Sequence, residues 1–386
     1  MHDTSAILLQ LFIVFVAAQV GSELAQRLRL PGVVGEIAAG CLVGPSLLGW
    51  VHGSEALDVL AEIGVVLLLF SVGLETRLDD LKRVGRAAFL VGVLCVVVPF
   101  ALGSVWAHDA GYDWNKSLFL AAAFVATSAG ITARVLQDLG ALQRVESRVI
   151  LGAAVIDDIL AMLLLGVVTA LQAGGSLHLG SLAVVLLEAV GFVAVIGWVG
   201  TREARRSSHW LDKPRHPLSP LTVVLALCLG LAFLSTEFGL AAIIGAFLAG
   251  MIASETSQRE TLEHQTQPLL ALLTPFFFVI TGTKVKLDLL GSTDALIMLG
   301  VVTAIAVVSK LVGGFLGALS LGRRGALIVG MGMIPRGEVG VVIASLGLGA
   351  GVFSEKTYAV IVAMSLLTAM VTPPVLAILL RRSPAA

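Results

Sequence analysis

Two adjacent carboxylates, Asp157 and Asp158, stand in the middle of an otherwise apolar run from Val149 to Leu171. A helix that crosses a bilayer takes about 20 residues, which puts this pair deep in hydrocarbon. An aspartate at that depth costs roughly 2.5–3.5 kcal/mol on insertion scales, and two cost more. Packing gives no reason to place them there. A cation that needs oxygen ligands and a proton that needs a base both do. A third charge, Lys310, is buried in Val307-Val308-Ser309-Lys310-Leu311-Val312-Gly313-Gly314, and it needs a counter-charge. Adjacent helical residues point about 100° apart. One aspartate can therefore face the Lys310 helix while its neighbour faces an aqueous funnel. Arg336 and Glu338 flank a break in a further apolar segment, at Pro335-Arg336-Gly337-Glu338. They are close enough to neutralise each other or to hold interrupted backbone, a structural role favoured over ion binding.

The elements that must position these groups are membrane spans. Of 386 residues, 57% are hydrophobic and 13% charged, and the mean hydropathy is +0.98. Soluble domains carry about a quarter charged residues, so the composition is that of an integral membrane protein. A net charge of -1 leaves no footprint for nucleic acid. Thirteen apolar spans are expected, at roughly 6–26, 32–51, 57–76, 86–107, 116–139, 147–171, 180–201, 218–237, 240–255, 267–284, 294–320, 324–350 and 357–380. The longest polar connection runs from Thr201 to Pro217. The N-terminus lacks the basic n-region of a signal peptide, so the first span is read as mature. Cys41, Cys95 and Cys228 sit in three separate runs without pairing or metal spacing and read as small core residues. All seven histidines fall in loops or at helix ends, and no nucleophile–histidine arrangement, metal spacing or phosphate loop marks an enzyme or a resident cofactor.

Lysine and arginine give the orientation. Eighteen of the 25 fall in one set of loops, from Arg27 and Arg29 to Arg381 and Arg382, against four (Lys116, Lys284, Lys286, Lys356) in the alternating set. The rich set faces the cytoplasm, which places the N-terminus outside and the C-terminus inside. The remaining three, Arg134, Lys310 and Arg336, lie within spans.

The halves repeat at an offset near 210 residues. Val33–Gly40 in span 2 matches Ile243–Gly250 in span 9, Gly73-Leu74-Glu75 in span 3 matches Gly282-Thr283-Lys284 in span 10, and Val96-Val97 matches Val307-Val308. A shift of seven spans is odd, so the second copy is inverted, the architecture of secondary transporters with a site at mid-membrane. Two corresponding spans read as broken. Span 5 carries Ala126-Thr127-Ser128-Ala129-Gly130-Ile131-Thr132-Ala133-Arg134, and span 12 carries Gly332-Met333-Ile334-Pro335-Arg336-Gly337-Glu338-Val339-Gly340. Each break aims half-helix ends into the membrane centre.

Gly130–Leu136, Ile150–Asp158, the Lys310 run and Pro335–Gly340 together resemble bacterial sodium/proton antiporters of the cation:proton antiporter-2 family, the NapA type in particular. The resemblance covers nearly the whole chain, from Leu30-Pro31-Gly32 onward. It implies an all-α polytopic fold of 13 transmembrane helices, in two inverted six-helix repeats with crossed discontinuous helices. It implies a homodimer whose protomer has dimerisation segments (1–85 and 218–292), a core ion-transport domain (86–172 and 293–386) and a linker with a cytoplasmic loop (173–217). It further implies that Asp158 is the ion-binding carboxylate, that Asp157 pairs with Lys310 and is a second candidate ligand for Na⁺, and that Thr127 and Ser128, with Arg336 and Glu338, support the cavity. Aspartate at 157 with lysine at 310 resembles the electrogenic type. The chain stops soon after Arg382, without the C-terminal regulatory domain of the potassium efflux kind.

The expected function is electrogenic exchange of Na⁺, and Li⁺ with it, for H⁺ across a bacterial inner membrane, by competition of cation and proton for the aspartates. A potassium/proton antiporter is the alternative within transporters, and a cation channel the alternative outside them. Gly40 and Gly44 have the small-xxx-small spacing of close helix contact and are expected at the dimer face. Glu75 is read as a helix-end charge or a guide into the inner funnel. Glu36, Glu188 and Arg134 have no partner legible in sequence.

Overall fold

Short polar residues at the ends of the apolar runs start the helices. Ser54 accepts from the Leu57 amide, Asp113 caps Lys116, and Ser292 caps Ala295, each satisfying a donor that the first turn leaves free. The computed structural model describes residues 2–172, 179–206, 219–285 and 288–381. All α-helices among them follow in chain order. They are α1 (His2–Arg27), α2 (Gly32–Val43), α3 (Glu55–Leu74), α4 (Leu78–Asp109), α5 (Trp114–Ala123), α6 (Ala129–Asp138), α7 (Val145–Gln172), α8 (Leu179–Val195), α9 (Thr201–Arg206), α10 (Ser219–Glu237), α11 (Ala242–Ser254), α12 (Arg259–Thr283), α13 (Thr293–Gly317), α14 (Gly322–Gly332), α15 (Glu338–Gly349) and α16 (Glu355–Arg381). Among the described residues, eight helices are long and apolar enough to cross a membrane, while α2 and α11 are shorter apolar helices.

Two elements differ from the sequence reading in their limits. Span 2 ends as helix at Val43, because Gly44-Pro45 follows and a proline cannot donate to the next turn. The polar connection expected from Thr201 is helical as far as Arg206. Residues Ile196–Gly200 form a π-helical turn that runs straight into α9, Thr201 Oγ1 donates back to the Gly197 carbonyl at 2.6 Å, and Arg202 lies over the Trp198 ring. Residues 207–218, with Lys213 and Arg215, lie outside the described residues. The two spans read as broken are α5/α6, interrupted at 124–128, and α14/α15, interrupted at 333–337.

Two groups of helices pack side by side. In one, α1 packs on α2, α2 on α12, α12 on α3, α3 on α11 and α11 on α10. In the other, α4 packs on α5, α7 and α13, α13 on α14 and α16, and α15 on α16. The half-helix α6 reaches across, packing on α7 and α16 and also on α2 and α3.

Close contacts recur at the 210-residue offset. Arg29 (φ 62°) and Gly239 (φ 70°) occupy the same left-handed position after α1 and α10. The amides of Leu30 and Leu240 then close the turn on Ala25 and Ser235, both at 2.9 Å. Gly35 lies against the Gly21 carbonyl and Gly245 against the Leu231 carbonyl. A Cβ on Gly282 would overlap the Ile37 carbonyl, and one on Gly73 would overlap that of Phe247. Gly40 and Gly44, expected at a dimer face, instead abut Val279 and Thr283 of α12 in the same chain. The small residues there let two helices of one protomer approach backbone to backbone, so the spacing signalled close packing and not its partner.

These contacts predict an asymmetric response to added volume. Gly250 faces the Phe70 carbonyl with no room for a Cβ, whereas Gly230 has nothing within 4 Å. Gly250→Val is expected to cost about 1–3 kcal/mol through overpacking, read as a lowered unfolding midpoint of the purified protein in detergent. Gly230→Ala is expected to leave that midpoint unchanged or slightly raised.

Candidate ion site at the crossed half-helices

The two breaks meet. The Ser128 amide donates to the Pro335 carbonyl at 2.7 Å, Thr132 Oγ1 donates to the Gly332 carbonyl at 2.8 Å, and Gly337 leaves no space for a side chain against Ser128. Half-helix ends of both signs are thereby gathered at one depth. The free amides at the starts of α6 and α15 carry partial positive charge, and the free carbonyls at the ends of α5 and α14 partial negative charge.

Asp157 and Lys310 lie at the positive end of α6. Both are fully buried, and Lys310 Nζ donates to Asp157 Oδ1 at 2.7 Å and to Thr127 Oγ1 at 2.6 Å. The other carboxylate oxygen, Asp157 Oδ2, accepts from the Thr127 amide at 3.1 Å. One carboxylate thus covers an orphan amide and a lysine together. Charge-assisted hydrogen bonds of this kind are about twice as strong as neutral ones.

Arg336 holds the negative ends. Its guanidinium is fully buried, and Nη2 donates to the carbonyls of Phe124 at 2.7 Å and Ala306 at 3.0 Å, while Nη1 donates to Ile334. Phe124 follows α5 and Ile334 follows α14, so one side chain serves both interrupted helices. The Arg336 amide in turn donates to Thr368 Oγ1 at 3.2 Å. Arg336 therefore binds backbone. The side chain of Glu338, its expected companion, lies outside the described residues.

Asp158 is 4% exposed, one position round the helix from Asp157. It borders a gap of about 10 Å³ walled by Leu69, Ala129, Leu151, Val155, Ile243 and Phe247, among others. That is near the lower limit for one water. Ile243 also lines a cavity of about 420 Å³ with Asp58, Glu62, Lys284 and Val341, so a thin apolar wall separates Asp158 from open space on one side. The structure gathers Asp157, Lys310, Thr127, Ser128 and Arg336 around the crossing, with Asp158 beside it. Thr368 was not picked out in the sequence. The 210-residue offset applied to Asp158 lands on it, and carrying the repeat into span 13 would have found it.

The remaining ionisable groups sit elsewhere. Arg134 Nε lies 3.0 Å from Asp138 Oδ1 on the same helix, Glu36 is buried in α2, and Glu188 is exposed on α8. Cys95 is packed beside the backbone of Lys310.

Removing one partner of a buried pair costs about 3–5 kcal/mol, whereas replacing both with neutral groups is often nearly free. Lys310→Met alone is expected to lower stability by that amount. Adding Asp157→Asn, which keeps an acceptor for Thr127, should recover most of the loss. Unfolding midpoints of the two variants, measured in one detergent, make the comparison.

Similarity to known proteins places this geometry. Residues 11–382 match the family described as sodium/hydrogen exchanger, transmembrane. The Na(+)/H(+)-K(+) antiporter GerN of Bacillus cereus is 35% identical over 95% of this chain and 94% of its own length. The high-affinity Na(+)/H(+) antiporter NhaS3 of Synechocystis is 34% identical over 96% of this chain and 89% of its own. The fold is that of the sodium proton antiporter MjNhaP1 from Methanocaldococcus jannaschii, matched at a TM-score of 0.71 and 17% identity over 98% of this chain and 99% of that one. With its apolar helices and its two interrupted ones, this chain belongs to the sodium/hydrogen exchanger family, integral membrane transporters and not enzymes.

Proposed function

We propose that this protein exchanges Na⁺, with Li⁺ as a second cargo, for protons across a bacterial inner membrane, electrogenically and by alternating access. The observation that carries the proposal is the fully buried Asp157–Lys310 pair at 2.7 Å, one residue from Asp158, at the crossing of two interrupted helices. Ionisable groups inside a membrane are expensive and mark ion paths.

Asp158 is the shared seat. Protonated, it holds no cation. Ionised, it binds Na⁺ as a hard oxygen ligand, completed by waters and by carbonyls of the broken segments, with Asp157 as a second ligand. Sodium binding loosens Asp157 from Lys310, and Lys310 releases a proton. Thr127 and Ser128 line the seat from the break before α6, and Arg336 keeps the crossing in shape. The loaded core crosses with cation or protons, never both.

The architecture proposed is 13 spans in two inverted six-helix repeats. The paired turns at Arg29 and Gly239 and the reciprocal contacts Gly282–Ile37 and Gly73–Phe247 support it. Helices α4–α7 and α13–α16 form the moving core, α1–α3 and α10–α12 the dimerisation domain of a homodimer, and α8–α9 the linker. The N-terminus lies outside, the C-terminus in the cytoplasm. A K⁺/H⁺ antiporter is the second reading, supported by the K⁺ in the name of the Na(+)/H(+)-K(+) antiporter GerN. A channel needs a continuous pore, and Asp158 beside a gap of about 10 Å³ argues against one.

In proteoliposomes carrying a pH dye, Na⁺ and Li⁺ are expected to drive proton flux and K⁺ to do so weakly. Asp158→Asn should abolish the flux, and wild-type rates in that variant would remove the seat from Asp158. One net charge moved per cycle is worth about 2.3 kcal/mol per 100 mV, enough to displace the exchange equilibrium roughly 40-fold. Exchange indifferent to an imposed potassium-diffusion potential would overturn the electrogenic assignment.

A further inference from the structure

The half-helix α6 joins the ion site to the neighbouring helix group at both of its ends. Its start is preceded by Thr127 and Ser128 at the crossing. Its far end carries a polar face of Arg134, Gln137 and Asp138 turned to α2 and α3. Gln137 Nε2 donates to Ser71 Oγ at 3.1 Å and to Glu75 Oε1 at 3.3 Å, and just beyond the helix Gln143 Nε2 donates to the Glu75 carbonyl at 2.7 Å. All three bonds run between the two helix groups, and all lie at the C-terminal end of α3. Toward the N-terminal end of α3, with Asp58 about 20 Å from Ser71 by helix rise, the groups part around the cavity of about 420 Å³ lined by Asp58, Glu62 and Val341. The interface is tied at one end and open at the other.

We propose that Gln137, Ser71, Glu75 and Gln143 form the inner gate of the transporter, the latch that closes the ion site from the cytoplasm in this conformation. The inference rests on the exchange reading and on the orientation given by Lys and Arg. Moving α6 with the core, away from α3, requires all three hydrogen bonds to break. Water then replaces each partner, so the latch is reversible. The same movement opens to water Glu36 of α2, which is 3% exposed and carries one oxygen with no hydrogen-bond partner among the described residues. Hydration of that one oxygen on opening offsets part of the loss of the latch, so the closed state is only modestly favoured, as a gate needs.

The test uses the full chain in proteoliposomes with Cys41, Cys95 and Cys228 changed to alanine. Ser71→Cys and Gln137→Cys are combined and linked with a short bis-methanethiosulfonate. Linking is expected to cut Na⁺-driven proton flux at least tenfold, with reductant restoring it. Linking Thr76→Cys to Ser254→Cys, neighbours within one helix group where Ser254 Oγ donates to the Thr76 carbonyl at 3.1 Å, is expected to leave flux unchanged. Full flux through protein linked between 71 and 137 overturns the gate. A second readout needs no linker. Gln137→Leu should speed labelling of Ala129→Cys by an impermeant maleimide from the cytoplasmic side several-fold, and an unchanged rate overturns the gate as well. No Na⁺-driven flux in the wild-type chain would instead sink the exchange reading, and the gate with it.

Discussion

Backbone that leaves the helix inside hydrocarbon must find partners on the spot, and the rest of this structure is arranged to supply them. Each unsatisfied amide or carbonyl there costs several kcal/mol, and two interrupted helices expose such groups from four ends. Asp157 covers an amide at the start of α6, Thr368 covers the Arg336 amide before α15, and Arg336 covers carbonyls after α5 and after α14. The strong partners are charged, and charges at this depth need counter-charges. Lys310 follows from Asp157 on that ground. The site is thus a consequence of breaking two helices, and a position for a cation or a proton comes with it.

The glycine contacts belong to the same problem. Partners placed to within a few tenths of an ångström require a frame that does not yield. Where Gly73 meets Gly250, and Gly40 meets Gly282, two backbones touch without side chains between them. Such contacts are stiff, since no rotamer can absorb a displacement. The polar tie between α6 and α3 differs in kind. It consists of side-chain hydrogen bonds at the rim, which exchange with water at small net cost. Stiff apolar seams within groups and soft polar ties between them are what a protein needs if one group is to move as a body against the other.

Much of this was legible in the sequence because membranes leave few choices. Asp157, Asp158 and Lys310 stood out by depth alone. The interruptions at 124–128 and 333–337 were visible as small, hydroxyl and proline residues at matching places in two halves. What stayed hidden depended on where side chains point. Arg336 was expected to neutralise Glu338 or to hold interrupted backbone; it does the latter, but the carbonyls it reaches, Phe124 and Ala306, lie 212 and 30 residues away and could not be named in advance. Gly40 and Gly44 announced a close contact without saying with which helix. Thr368 looked like any hydroxyl in an apolar span, because its meaning comes from the amide of Arg336 opposite. The early end of α2 at Val43 was masked by hydrophobic residues that continue beyond it.

Under the proposed repeat the two halves match at close backbone contacts but not in charge, and that difference would give the site its direction. At the 210-residue offset Asp158 corresponds to Thr368 and Lys310 to Phe100, while Arg336 stands near Thr127. Duplicated crossing ends would make two equal sites, yet of the four groups described at the crossing the two acids come from the first half and the two cations from the second. Under the proposed exchange, the four buried groups then count as follows. With Na⁺ bound, two carboxylates, Arg336 and the ion sum to zero once Lys310 has released its proton. With protons bound, Asp158 is neutral and Asp157, Lys310 and Arg336 leave one positive charge. The two loaded forms differ by a single charge, and neither places more than one uncompensated charge at the membrane centre. A charged lysine in place of Phe100 adds one positive charge to both forms, and a threonine in place of Asp158 leaves the Na⁺-bound form with one positive charge in excess. The asymmetry between otherwise matching halves is therefore what keeps both loaded forms cheap enough to cross.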